Sequence, residues 1–210
     1  KMKDEKISNY VKLCEDWADK FMKMDQENLR KRVPELKEEN GFLTLIHFGR
    51  KYGISLNDGS ICSMDGQQEP DTTEMLNIYT LLGYAKEGAF FMNKWVPFAD
   101  LRNARPFAPA YKIGETDVFG ATFSGHEKEL REAFCKLGGK ELPQGDVGYE
   151  IRAFECMPMR FFFWERDEEF EAQGNILFDY SATDFNHVES AVSRSEERRV
   201  GKECRSRWSP

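Results

Sequence analysis

The chain has 210 residues, 40% of them hydrophobic and 32% charged, with 37 acidic against 30 basic side chains and a net charge of −7. Such a length suits one domain, able to bury about 70% of its unfolded surface without a disulfide or metal staple, and the composition excludes a disordered chain. The apolar run Phe161–Trp164 is far shorter than the roughly 20 residues a membrane-spanning helix needs, and no apolar segment follows the charged opening Lys1–Lys6 to make a signal peptide.

Residues 4–24 carry Ile7, Tyr10, Val11, Cys14, Trp17 and Phe21 at three- and four-residue spacing, which predicts an amphipathic helix. The charged segment Asp25–Asn40, broken by Pro34, is expected to be partly helical and solvated. Phe42–Phe48, Tyr52–Leu56 and Ser60–Cys62, with the turn Asn57-Asp58-Gly59, predict an antiparallel meander of two or three strands. Asp71-Thr72-Thr73-Glu74 is a capping box opening a helix with Met75, Leu76, Ile78, Tyr79 and Leu82 on its apolar face and Gly83 as its stop. Between Gly88 and Gly120 stand Phe90, Phe91, Trp95, Phe98, Phe107, Tyr111 and Phe119, too many large apolar groups for a free loop.

Ser124-Gly125-His126-Glu127 reads as a second capping box, followed by Leu130, Phe134 and Leu137 and ended by Gly138-Gly139. Gly148–Cys156, Met159–Trp164 and Gly174–Phe178 read as strands, and Phe185–Val192 as a closing helix. Helices and strands mix without βαβ alternation. The expected class is therefore α+β, a largely antiparallel sheet with an N-terminal amphipathic helix and two or three packed helices, in one domain over residues 1–193.

The last segment, 194–210, resembles the translated read-through of a sequencing adapter, and its basic composition breaks with the acidic body. It is expected to be disordered and dispensable. Setting it aside removes six basic and three acidic side chains, leaving 24 against 34 and a net charge of −10. A body this acidic, with no basic stripe, argues against nucleic-acid and anionic-membrane partners. Cys14, Cys62, Cys135 and Cys156 form no C-x-x-C and read as reduced, buried thiols of a cytoplasmic protein.

Candidate chemistry is sparse. In Met157–Trp164 both faces of a strand are apolar, which favours a central strand covered on both sides over the wall of a ligand pocket. The acidic run Glu165–Glu171 lacks the spacing of a calcium loop and reads as a solvated turn rather than a cation site. Asp179, at the exit of Ile176-Leu177-Phe178, reads as a carboxylate held by N–H groups of the Tyr180–Asp184 turn, with a binding role as the alternative. His47, His126 and His187 belong to no catalytic motif. A site assembled by folding from Asp179 with His47 or His187 would make the chain a small hydrolase or transferase.

Three stretches together resemble the bacterial and archaeal family called domain of unknown function 3786: Trp95-Val96-Pro97-Phe98-Ala99-Asp100-Leu101; Pro158-Met159-Arg160 with Trp164 and Asp167-Glu168-Glu169-Phe170; and Ile176–Ala182. The resemblance runs over most of residues 5–192. It implies no activity and transfers no catalytic residue. It does imply a setting in anaerobes, where some members are joined to an iron–sulfur domain of the kind used in corrinoid proteins. This chain lacks such a cysteine cluster, so a partner would have to bring the cluster. The leading expectation is thus an accessory domain that holds a small molecule, or an iron–sulfur or corrinoid protein partner, against an aromatic surface. Asp179, Trp164 and Trp95 are its candidate ligand-binding residues, with no cofactor specified and no metal-binding residue. A purely structural or interaction domain is the third reading.

Overall fold

The apolar stripe near the N-terminus becomes helix α1 (Met2–Phe21) in the computed structural model, which describes residues 2–112 and 117–187. The C-terminal half of α1 docks on the core. Cys14 and Phe21 are buried and Trp17 half-buried, whereas Tyr10 and Val11 stay exposed. Helix α1 packs on α3 (Thr72–Tyr84). The capping box at the start of α3 forms: Asp71 accepts from the N–H groups of Thr73 and Glu74, and Glu74 accepts from that of Asp71, all at 2.9 Å. Gly83 is not the stop. It lies inside α3, where a Cβ would sit 2.5 Å from the Trp17 ring, so glycine is what lets the two helices approach.

The segment expected to be solvated instead supplies core. Asp25 caps α2 (Gln26–Arg32), and Leu29, Val33 and Leu36, four and three residues apart, are all buried. It also supplies a strand. The first sheet is an antiparallel meander of four strands, β1 (Lys37–Glu39), β2 (Phe42–His47), β3 (Arg50–Ser55) and β4 (Ile61–Ser63), in that order. Strand β1 carries only charged side chains and pairs through its backbone. Its sequence signal is the following Asn40-Gly41, both at positive φ, the pattern of a tight hairpin.

The second sheet has the order β5-β9-β8-β7-β6, again antiparallel. Its strands are β5 (Trp95–Pro97), β6 (Lys140–Glu141), β7 (Val147–Phe154), β8 (Met157–Trp164) and β9 (Gln173–Asp179). Helices α5 (Asp117–Phe123) and α6 (Glu127–Lys136) cover one face. There Phe119 meets Phe161 and Phe163 at 6.0 and 6.2 Å, and Phe134 lies 5.3 Å from Phe161 and 5.0 Å from Tyr149. The second capping box does not form: the N-cap of α6 is His126, without a side-chain cap, and the Ser124 hydroxyl donates to Glu165 instead. The aromatic stretch before α5 is packed only in part. Phe98, Tyr111 and Phe178 cluster through α4 (Ala108–Tyr111), while Phe90, Phe91 and Phe107 remain exposed.

One carbonyl ties the sheets together. Ala153 O on β7 accepts from Phe48 N at 3.0 Å and from His47 Nδ1 at 2.8 Å. A carbonyl only accepts, so Nδ1 carries the proton. Close by, the half-buried Glu35 carboxylate accepts from the N–H groups of Glu155 and Cys156 at the β7–β8 turn. The buried apolar residues form one connected cluster from Cys14 to Phe185. The fold is α+β with an N-terminal helix. The last described helix is α7 (Ala182–Phe185); residues 188–192 of the expected closing helix, and the segment 194–210, lie outside the described residues. Among the described residues no helix is long and apolar enough to cross a membrane.

Candidate functional site

Strand β8 alternates, and its two faces meet different surroundings. Phe161 and Phe163 point under α5 and α6, and with Met159 on the same face they are at most 1% exposed. Arg160, Phe162 and Trp164 point the other way, and that face is not closed as the sequence suggested. Trp164 is 40% exposed, and Arg160, Leu177 and Trp95 are half-buried. Phe162 is buried because its ring lies against Gly148, its cross-strand partner on β7, where no side chain intervenes.

The groups on this open face form a row. Phe91 meets Trp95 edge-on at 6.0 Å. The Arg160 guanidinium lies 3.9 Å from the centre of the Trp95 ring, while its Nε donates to Glu150 at 3.0 Å. Leu177 stands opposite Arg160 on β9, and Phe162 meets Trp164 at 6.2 Å. In the register, Trp95 pairs with Asp179 and Trp164 with Gln173. Those two positions are six residues apart on β9, which spans about 20 Å.

Asp179 is 1% exposed, yet its carboxylate is fully engaged. One oxygen accepts from Ser181 N and Met92 N, both at 3.0 Å, and from the Ser181 hydroxyl; the other accepts from Lys94 N at 2.9 Å. The bond from Ser181 N is the turn contact that the sequence suggests. The other two backbone donors come from the loop that delivers Trp95, 85 and 87 residues away, beyond the reach of any local pattern. Trp95 is steadied further by its indole N–H, which donates to Asn93 at 3.1 Å. Trp95 and Trp164 thus share one face, with Asp179 buried at the Trp95 end of it.

The hydrolase or transferase reading gains no geometric support. Neither His47 nor His187 is among the hydrogen-bond partners of Asp179. His47 is 1% exposed and stacks on Phe154 at 4.5 Å, and the His187 ring lies 5.4 Å from Tyr84. The acidic run caps itself. Glu165 accepts from Gly125 N, Ser124 Oγ and Arg166 N, and Asp167 from the N–H groups of Glu169 and Phe170. Those bonds, led by the ones from Gly125 and Glu169, hold both carboxyls below the usual range. An open polar cleft of about 730 Å³ beside Glu165 is lined by Ser124, Gly125, Glu127, Glu129 and Arg166. Among the described residues no group of three or more His, Cys, Asp or Glu side chains is arranged to hold a metal ion.

The four cysteines in the described part are free thiols, but not all are buried: Cys135 is exposed. Burial pushes Cys14 up to about 11 and raises Cys62 and Cys156, the last also through Glu35, so these three are poor nucleophiles.

Two antiparallel sheets, one covered by helices on a single face and carrying a row of aromatic and guanidinium groups on the other, define an α+β protein with one open sheet face. The chain belongs to the family described as a domain of unknown function (DUF3786), whose model matches residues 26–196. A search of curated proteins and a search of solved structures returned no match.

Proposed function

We propose that the chain is a binding domain whose open sheet face docks a partner protein. The observation that carries this reading is the row from Trp95 through Arg160 to Trp164. Small-molecule sites are concave and enclose most of their ligand, whereas this row lies on a sheet face about 20 Å long. Half-exposed Trp and Arg are the residues that dominate protein–protein binding energy. Of the two occupants the sequence suggests, a small molecule and a cofactor-bearing partner, the dimensions favour the partner. An iron–sulfur or corrinoid protein of anaerobic metabolism, the kind the family resemblance implies, is the partner we propose. Asp179 enters as a positioning residue, since its bonds to Met92 N and Lys94 N fix the loop that presents Trp95.

The test places a photo-crosslinking phenylalanine analogue at Trp95 in one variant and at Trp164 in another, in cells from which the protein is then purified without oxygen. The same polypeptide should be labelled from both positions, and its spectrum should report the cofactor. Labelling from one end only, or a chromophore that stays with the isolated chain, would replace the docking reading with a small-ligand one.

A further inference from the structure

The strand exit after Asp179 gathers three cations around one carboxylate. Asp184 on α7, with 11% of its side chain exposed, accepts from Lys86 Nζ at 2.9 Å and from Arg102 at 2.7 and 2.8 Å. The ring of Tyr180 has Lys94 Nζ at 4.3 Å from its centre and the Arg102 guanidinium at 4.9 Å. Both Lys86 and Arg102 bond the same Asp184 oxygen, and Lys94 and Arg102 share one ring, so Arg102 joins the two lysines into one basic cluster.

One carboxylate cannot neutralise three cations. Of the other carboxylates in these segments, Asp179 is buried and committed to the hydrogen bonds described above, and Glu87 and Asp100 are exposed and, among the described residues, make no ion pair with these cations. The cluster therefore holds a surplus of positive charge in a chain whose net charge is −7. It is also accessible, with 60% of the Lys86 side chain and 39% of the Arg102 side chain exposed and Lys94 exposed. Its parts are held in place: Lys86 N donates to Asp184 O and Tyr180 N to Lys94 O, each at 2.8 Å, and the Tyr180 side chain is hydrogen-bonded to Arg102.

We infer that Lys86, Lys94 and Arg102 form a binding site for a compact oxyanion with two negative charges, a phosphate group or a small dicarboxylate. Arg102 supplies a planar fork suited to paired oxygens, and the lysines supply point charges on either side of it. This inference does not rest on the docking reading, because it uses none of the groups on the open sheet face.

The experiment titrates the full chain with inorganic phosphate and, separately, with succinate, by calorimetry at fixed ionic strength, so that general screening is held constant. Saturable binding of phosphate is expected, weakened about tenfold or more by Lys94→Met, whose exposed side chain contributes little to folding. Arg102→Gln should weaken it further, and Trp164→Ala should leave it unchanged. Succinate binding as tightly as phosphate would identify the site as a reader of paired carboxylates, and binding of phosphate alone as a reader of phosphoryl groups. Binding of neither anion, or binding indifferent to Lys94→Met, would overturn the inference, with Glu87 and Asp100, exposed carboxylates next in sequence to Lys86 and Leu101, then balancing the cations.

Discussion

At Asp179 both carboxylate oxygens have N–H donors to satisfy, and this decides what a substitution does. In Asp179→Asn one oxygen becomes an NH2 group facing a donor, either that of Lys94 or those of Met92 and Ser181. The sequence suggests that Asn is harmless, because one acceptor serves a turn. The second acceptor, which serves a loop far away in the chain, makes Asn costly instead. Asp179→Asn should lose about 1–3 kcal/mol, as for a buried donor left without a partner. Asp179→Ala, which takes the acceptor from all of these donors, should lose more than Asp179→Asn. Chemical denaturation of both variants checks this, and an Asn variant as stable as the parent would show that the bond from Lys94 N carries no weight. Glu35 gives a second prediction at this scale. Burial raises its pKa, so its folded value lies above the unfolded one near about 4.3. The stability it contributes is complete below that unfolded value and is lost as pH rises through the raised one. Stability of the parent should fall relative to Glu35→Gln as pH rises from about 4.3 through the raised value, with the repulsion from Glu155 acting in the same direction. A parent that gains stability over the variant as pH rises would reverse the assignment.

Among the elements, those with a sustained apolar period could be read from the residues alone: α1, α3, and the strands β7, β8 and β9. Strand β1 was not legible because its stability lies in backbone pairing to β2 and its side chains are all charged. The open face of β8 was not legible because Phe162 and Trp164 look alike in sequence. Only the fold shows that one lies against Gly148 and the other meets solvent. Phe161→Ala and Phe163→Ala should therefore each lose about 3–5 kcal/mol, and Trp164→Ala less than half of that; equal losses in all three variants would mean that the outer face is as closed as the inner. Gly83→Ala tests the α1–α3 contact. Helix propensity alone favours Ala by about 1 kcal/mol, whereas crowding a packed interface costs about 1–3 kcal/mol. With a Cβ placed 2.5 Å from the Trp17 ring, the crowding should win, and Gly83→Ala should melt lower than the parent. In a Trp17→Leu background the same change should raise the melting temperature.

For the whole molecule, the resemblance of residues 194–210 to adapter read-through leads us to propose that a chain ending at Ser193 keeps the stability of the full one within about 0.5 kcal/mol, the ordinary range for surface changes. A loss above about 1 kcal/mol on denaturation would make the segment part of the fold. The same scale governs the join at Ala153. The four-stranded meander is complete in sequence by Ser63, but the carbonyl that receives His47 and Phe48 arrives about a hundred residues later. At a synthesis rate of about 5–20 residues per second, the meander waits roughly 5–20 s for that carbonyl. During that time His47, Phe48 and the apolar side chains around them have no second sheet to bury them. The charged strand β1, with its Lys and Glu side chains along the edge of the waiting sheet, is the kind of edge that discourages pairing with another nascent chain during those seconds.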